Sequence, residues 1–365
     1  MKRTSIVSML LLLLSACSTR QVEPRSPTGP EEPSVLTGAA TGENVLATTR
    51  AGEAPPVATC PEGSTPDEPG PADQARPPGE GWTPIAFDRQ SGRIVLVAVQ
   101  QGGAVDTWTF DVCANTWERM DPQPATTAPV SAWDIVYDVD SDLTIVPGRE
   151  GFVWAYDVET DSWTKAEAPF FDFPDPIYDP MSGLVVVRDG ERMYAFDVEA
   201  GTWTELPQQE PLVLWKGGEV WAHDPTVDRI VLFHVDHGSG SPTTWLYDPR
   251  RGRWTQEEVD TPTIAFPFGD LVSGGEIAYD VAAGRSVIVS GGGRHSFDAS
   301  VPRWESEPLG LHRSFGRLIY DAVNERLVLL PGNTWMDGRW TNRQDVFAWD
   351  AAADEWIELV PPLEG

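Results

Sequence analysis

An aromatic residue followed by Asp, with a Trp six positions beyond that Asp, recurs six times in this chain. The copies are Phe110-Asp111…Trp117, Tyr156-Asp157…Trp163, Phe196-Asp197…Trp203, Tyr247-Asp248…Trp254, Phe297-Asp298…Trp304 and Trp349-Asp350…Trp356. Successive copies lie 40 to 52 residues apart. A residue as rare as Trp returning at one fixed offset marks an internal repeat, and a repeat of this length is one supersecondary unit that buries its apolar face against its neighbours.

Each unit carries a second constant element upstream. An aromatic or His plus Asp is followed five residues later by the start of a β-branched run. Examples are Phe87-Asp88…Arg93-Ile-Val-Leu, Tyr178-Asp179…Leu184-Val-Val-Val and His223-Asp224…Arg229-Ile-Val-Leu. Runs of this length and composition suit buried strands. Four strands, A to D, are therefore expected per unit, with the Asp residues at the A–B and C–D turns. There an Asp carboxylate accepts backbone N–H groups two residues on and closes the turn. The D-strand Trp would bury roughly 150–250 Å² against the adjoining sheet. On this reading the repeated Asp and Trp residues are structural, with no catalytic role.

Six four-stranded antiparallel units with an aromatic signature describe an all-β, six-bladed β-propeller over residues 81–365. The pattern resembles the kelch repeat, in which an apolar strand leads to Gly-Gly, then an aromatic-Asp turn, then a Trp six residues on. The double Gly departs from that pattern. It stands in place only as Gly291-Gly292-Gly293, whereas other units carry Pro147-Gly148, Asp189-Gly190 or Pro331-Gly332. The chain starts on strand A and ends on strand D, so no shared strand closes the ring, and the last blade is expected to meet the first through side chains.

The amino terminus has another character. Lys2-Arg3, the apolar run Ile6 to Leu14 and then Leu14-Ser15-Ala16-Cys17 have the form of a secretory signal over residues 1–16. The last four residues resemble the lipobox of bacterial lipoproteins. That resemblance implies cleavage before Cys17, lipidation of its thiol and an extracytoplasmic chain held at the cell envelope, at the outer membrane or cell surface. Residues 17–80 lack hydrophobic periodicity up to the propeller and are expected to be a disordered Pro/Gly-rich tether. Cys60 in that segment and Cys113 in the first unit are a candidate disulfide, paired or free, in an oxidising compartment.

A formal net charge of −30 argues against nucleic acid and anionic membrane surfaces as partners, the lipid anchor aside. The kelch resemblance places the short A–B and C–D turns on one face and the longer B–C and D–A loops on the other, where propeller ligands gather. The B–C loops expected are 147–151, 188–192, 234–242, 291–295 and 331–344. They carry Arg149, Arg188, Arg192, Arg294 and Arg343, and converging arginines hold an anion bidentately. His234 and His237 with Asp236 form a weak metal pattern. Trp335 and Trp340, like Trp133 and Trp215, stand outside the repeat frame, where an indole can stack on a sugar. Asp138, Asp140 and Asp142 start like a calcium loop, but Leu143 stands where that loop needs Gly. Neither pattern is taken as a metal site. No nucleophile elbow, phosphate loop or dinucleotide fingerprint is present, and no cofactor is expected.

The expected function is a monomeric, non-catalytic binding module for glycan or protein, with an anionic small molecule as a further ligand class. The alternative is an enzyme acting on a sugar acid, similar to six-bladed kelch-type N-acetylneuraminate epimerases. A scaffold without a small ligand is a third reading. Arginines gathered on one anion beside a carboxylate or His would favour the enzyme. Arginines held apart would favour binding.

Overall fold

The structure is a computed structural model. It describes residues 56–78, 83–99, 105–123, 129, 132–149, 151–169, 171–172, 174–207, 219–235, 241–263, 276–290, 292–311, 315–336 and 339–362. The signal segment and Cys17 lie outside them.

Six sheets of antiparallel strands follow one another along the chain. Blade 1 is β1 (Ile85–Asp88), β2 (Arg93–Val99), β3 (Val105–Asp111) and β4 (Thr116–Arg119). Blade 2 is β5 (Val136–Asp138), β6 (Leu143–Pro147), β7 (Phe152–Asp157) and β8 (Ser162–Glu167). Blade 3 is β9 (Asp175–Asp179), β10 (Leu184–Asp189), β11 (Arg192–Asp197) and β12 (Thr202–Glu205). Blade 4 is β13 (Glu219–Asp224), β14 (Arg229–Val235), β15 (Pro242–Asp248) and β16 (Arg253–Glu257). Blade 5 is β17 (Glu276–Asp280), β18 (Arg285–Ser290), β19 (Gly293–Asp298) and β20 (Arg303–Pro308). Blade 6 is β21 (Phe315–Asp321), β22 (Arg326–Met336), β23 (Arg339–Arg343), β24 (Val346–Asp350) and β25 (Glu355–Val360). The innermost strands β1, β5, β9, β13, β17 and β21 touch in that order, and β21 returns to β1. The chain is thus an all-β six-bladed propeller.

The repeat residues act as their chemistry dictates. Asp88 Oδ1 accepts the amides of Gln90 and Ser91, each at 3.0 Å, and Asp157 Oδ1 those of Glu159 and Thr160 at 2.9 and 3.0 Å. Asp138, Asp179, Asp224, Asp280 and Asp321 close the other A–B turns in the same way. Four residues after the turn Asp the backbone takes positive φ, at Gly92 and Gly183 and also at Asn115, Asp142 and Asp228. Those are residue types that tolerate the left-handed region.

Each repeat Trp packs on the aromatic residue paired with it across the C–D ladder. The ring centroids are 4.9 Å apart for Phe110–Trp117, 4.3 Å for Phe196–Trp203 and 4.7 Å for Tyr247–Trp254. The six apolar clusters lie between adjacent blades, each with one of these indoles. Trp163, for instance, joins Tyr156 of blade 2 to Val95 and Val97 of blade 1, and its Nε1 donates across the seam to Thr107 Oγ1 at 3.2 Å.

Two expectations need correction. The segment 331–344 of blade 6 is not a loop but a hairpin, in which β22 runs on to Met336 and pairs with β23 in a register that sets Trp335 opposite Trp340. Asp337-Gly338 between alternating residues is a hairpin signal that the loop reading passed over. The tether also ends earlier than residue 80, because residues 56–78 lie against both ends of the ring. Ala58 N donates to Arg89 O at 2.8 Å and Gly70 N to Leu359 O at 2.8 Å. Asn115 Nδ2 donates to Pro66 O and Glu68 O at 2.8 and 2.9 Å, and Arg326 Nη1 to Asp67 Oδ1 at 2.7 Å. Cys60 and Cys113 form a disulfide, with Cα atoms 5.3 Å apart. A strap satisfied by main-chain hydrogen bonds and one covalent bond needs no apolar periodicity, which is why composition suggested disorder. Blades 1 and 6 also share an apolar cluster, including Trp117, Leu330 and Leu359. Closure by side chains is therefore present and the strap adds to it.

Candidate functional site

The inner strands enclose a channel of about 380 Å³. At its turn-side end, one ring from each blade lines it: Phe87, Tyr137, Tyr178, His223, Tyr279 and Tyr320. These rings stitch the turns together. Tyr137 Oη donates to Asp142 at 2.7 Å, and Tyr178 Oη donates to Asp140 of the preceding blade at 2.9 Å. Burial, helped by those carboxylates, holds both phenols above the ordinary range. Asp138, Asp140 and Asp142 are thus occupied in a turn and in contacts between rings and carboxylates, where a calcium loop would need them as ligands.

At the opposite end, between blades 3 and 4, lies a buried charged cluster. Asp175 opens β9, Arg188 stands near the end of β10, Glu219 opens β13 and His234 lies near the end of β14, so strand pairing brings Arg188 opposite Asp175 and His234 opposite Glu219. Arg188 Nη2 donates to Asp175 Oδ2 at 2.9 Å and to Glu219 Oε2 at 3.1 Å. Trp221 Nε1 donates to Asp175 Oδ1 at 2.9 Å. His234 Nδ1 stands 3.6 Å from Glu219 Oε1, beyond hydrogen-bond length. The Arg188 and Glu219 side chains are 9% and 3% exposed, and Asp175 is 21% exposed.

The two carboxyls are pushed in opposite directions. Burial raises Asp175, aided by the Glu219 charge and opposed by Arg188. Burial also works against ionised Glu219, but His234 and Arg188 together outweigh it and hold that carboxyl below the usual range. Arg188 Nε, Glu219 Oε1 and His234 Nδ1 find no hydrogen-bond partner among the described residues. Such atoms also occur in the ordinary seams between blades, at Trp108 Nε1, Trp203 Nε1 and Ser286 Oγ, so here it is their grouping around two carboxyls that sets the cluster apart.

The remaining arginines do not join this cluster. Arg149 pairs with Asp172 at 3.5 Å and lies 5.8 Å from the Trp133 ring centroid. Arg192 Nη1 donates to Tyr194 Oη at 3.4 Å. Arg294 pairs with Glu307 at 2.5 Å and covers the Trp349 ring at 4.4 Å. Arg343 is half-buried in the hairpin of blade 6. These contacts of Arg149, Arg192 and Arg294, with Asp172, Tyr194 and Glu307, do not bring the three together on one anion. His237 and Trp215 lie outside the described residues, as do the side chains of Trp335 and Trp340.

Sequence reasoning picked out Arg188 and His234 but missed Asp175 and Glu219. Both are first residues of A strands, and no local pattern separates them from other acidic loop residues. Trp133 stands out on this face. It is 43% exposed, and the other exposed large apolar side chains among the described residues, Met181, Val281 and Val301, sit in A–B or C–D turns at the far end. No protein-family model matches the chain, and no curated protein matches it significantly.

Proposed function

We propose that this chain is an envelope-anchored, kelch-like propeller that binds glycan without catalysis through the face bearing the B–C and D–A connections. Trp133 carries the reading. The indole is 43% exposed, and the Arg149 guanidinium, 5.8 Å from its ring centroid, is itself paired with Asp172, so an apolar ring lies near a charged donor and an acceptor. That footprint suits one or two sugar rings. A stable protein partner needs about 800 Å² per side with an apolar centre, so protein ligands rank below glycan. The separate partners of Arg149, Arg192 and Arg294 fit the same reading. A lipid anchor at Cys17 would hold the domain outside the cytoplasmic membrane, and the negative charge would keep it off polyanions.

The test is a glycan array with the purified full chain, followed by titration of the best hit against wild type and Trp133→Ala. Loss of affinity by tenfold or more, with an unchanged melting temperature, supports the proposal. An empty array, or equal binding by the variant, sinks it.

A second reading, acid–base chemistry on a sugar acid, is favoured by one observation. Asp175 and Glu219 flank Arg188 with carboxyls displaced in opposite directions, and such divergence is how acid and base roles are set at neutral pH. Against it, both Nη2 protons of Arg188 are taken by protein carboxylates, so its charge is already compensated before any substrate carboxylate arrives. Anomer and epimer exchange of N-acetylneuraminate, followed by NMR with wild type and Asp175→Asn, decides the matter: turnover lost in the variant would establish the enzyme.

A further inference from the structure

The seam between blades 3 and 4 holds a second cluster at its turn-side end, where the repeat is broken. Four of the other five blades carry Tyr where blade 4 has His223, and blade 1 carries Phe87. His223 Nε2 lies 3.5 Å from Asp228 Oδ1 and 3.8 Å from Asp179 Oδ1. One ligand atom from each of the three residues falls within 4.8 Å of the others. The imidazole is nine-tenths buried, at 10% exposure, and Asp179 is 1% exposed. His223 Nε2 is a buried polar atom without a hydrogen-bond partner.

These separations are too long for hydrogen bonds. In blade 2 the equivalent pair, Tyr137 and Asp142, closes to 2.7 Å, because a phenol reaches further than an imidazole. In blade 4 the gap stays open. A tetrahedral ion with bonds of about 2.0–2.1 Å sets its ligand atoms roughly 3.3 Å apart, and the two spacings from the imidazole nitrogen, 3.5 and 3.8 Å, are a few tenths of an ångström wider. Asp179 is oriented by the Met181 amide on Oδ1 at 3.1 Å and by the Ser182 hydroxyl on Oδ2 at 2.7 Å. Arg250 takes Asp228 Oδ2 at 2.5 Å, leaving Oδ1 toward the imidazole. Two carboxylates face the imidazole and one guanidinium offsets one of them, a balance that favours a cation at the centre.

We propose that Asp179, His223 and Asp228 form a binding site for a divalent transition metal of the zinc type, at the turn-side mouth of the channel. One nitrogen and two oxygens suit zinc better than calcium or magnesium, which require six or more oxygen ligands or an octahedral, largely hydrated shell. Three protein ligands leave a fourth position open toward the channel that His223 lines. The bound ion would tie the A–B turns of two neighbouring blades together, as the Tyr–Asp contacts do elsewhere.

The full chain, stripped with chelator and dialysed, is titrated with zinc chloride by calorimetry and with cobalt chloride by visible absorption. One ion per chain is expected, with the intense visible bands of four-coordinate cobalt. His223→Tyr restores the ring carried by most other blades and so preserves the fold, and it should weaken zinc binding at least tenfold. Asp228→Asn should do the same. Absence of binding in the wild type overturns the site, and so does binding that survives both substitutions, which would place the ion at His234 and His237 or elsewhere. The glycan proposal is unaffected by either result, because Trp133 lies at the other end of the ring.

Discussion

The Gly70 amide donates to the carbonyl of Leu359 at 2.8 Å, joining a strap that precedes the first blade to the outermost strand of the last. The same Gly abuts blade 1, where a Cβ at this position would sit 2.0 Å from Asn115 O. One residue therefore touches both ends of the ring, and only a residue without a side chain fits.

Gly70→Ala should destabilise the fold by about 1–3 kcal/mol, since the clash is with backbone that cannot turn aside. The urea midpoint measures it. A midpoint equal to wild type would mean that the strap yields and does not clamp the ends.

Removing the Cys60–Cys113 bond, by reductant or by a double Ser substitution, should cost about 4 kcal/mol in the chain-entropy model for a link closing this many residues. The sequence separation is 53. Denaturant curves with and without reductant give the difference, and coincident curves would refute it.

Arg188→Met leaves Asp175 and Glu219 facing each other without their shared cation. At neutral pH the cost should be about 3–5 kcal/mol, the range for breaking a buried pair. The sign with pH follows from the two shifts. Glu219 is held low in the fold, so its stabilisation is present above the ordinary Glu value of about 4.3 and fades as pH falls through the lower folded value. Asp175 is raised, so the folded state gains as pH falls through its value. Both carboxyls lose their repulsion in the variant on protonation. The gap between variant and wild type should then narrow from pH 7 toward pH 4 in a melting series, and a constant gap would contradict the assignment.

Trp163→Phe removes the bond from Nε1 to Thr107, whose side chain is 1% exposed. An expected loss of about 1–3 kcal/mol includes the hydroxyl left without a donor. Adding Thr107→Val should recover part of it, and a coupling energy near zero in the double-mutant cycle would show that the contact is incidental.

The propeller could be read without coordinates because its signals are local. Asp88, Asp157 and Asp350 each accept amides two and three residues on, so turn chemistry is printed in a few adjacent letters. Phe110 and Trp117 stand opposite each other in one hairpin, which the fixed offset already encodes. Of the strap only the candidate Cys60–Cys113 pair was legible; the rest was not, since Asn115, Arg326 and Leu359 bind it from far along the chain. The clustered part of the site was legible only in half. Arg188 and His234 attract notice as a cation and an imidazole at strand ends, while Asp175 and Glu219 resemble many other acids in an acidic chain.

What the sequence alone determined is the repeating unit, its strand order and the burial of its indoles, because each rests on residues a few positions apart along one chain path. Which charged groups meet was decided by the ring itself. Winding six sheets about an axis sets β9 beside β13, so residues distant in sequence share one desolvated seam at both of its ends. There the free energy of a charge depends on its neighbours across space and not on those along the chain.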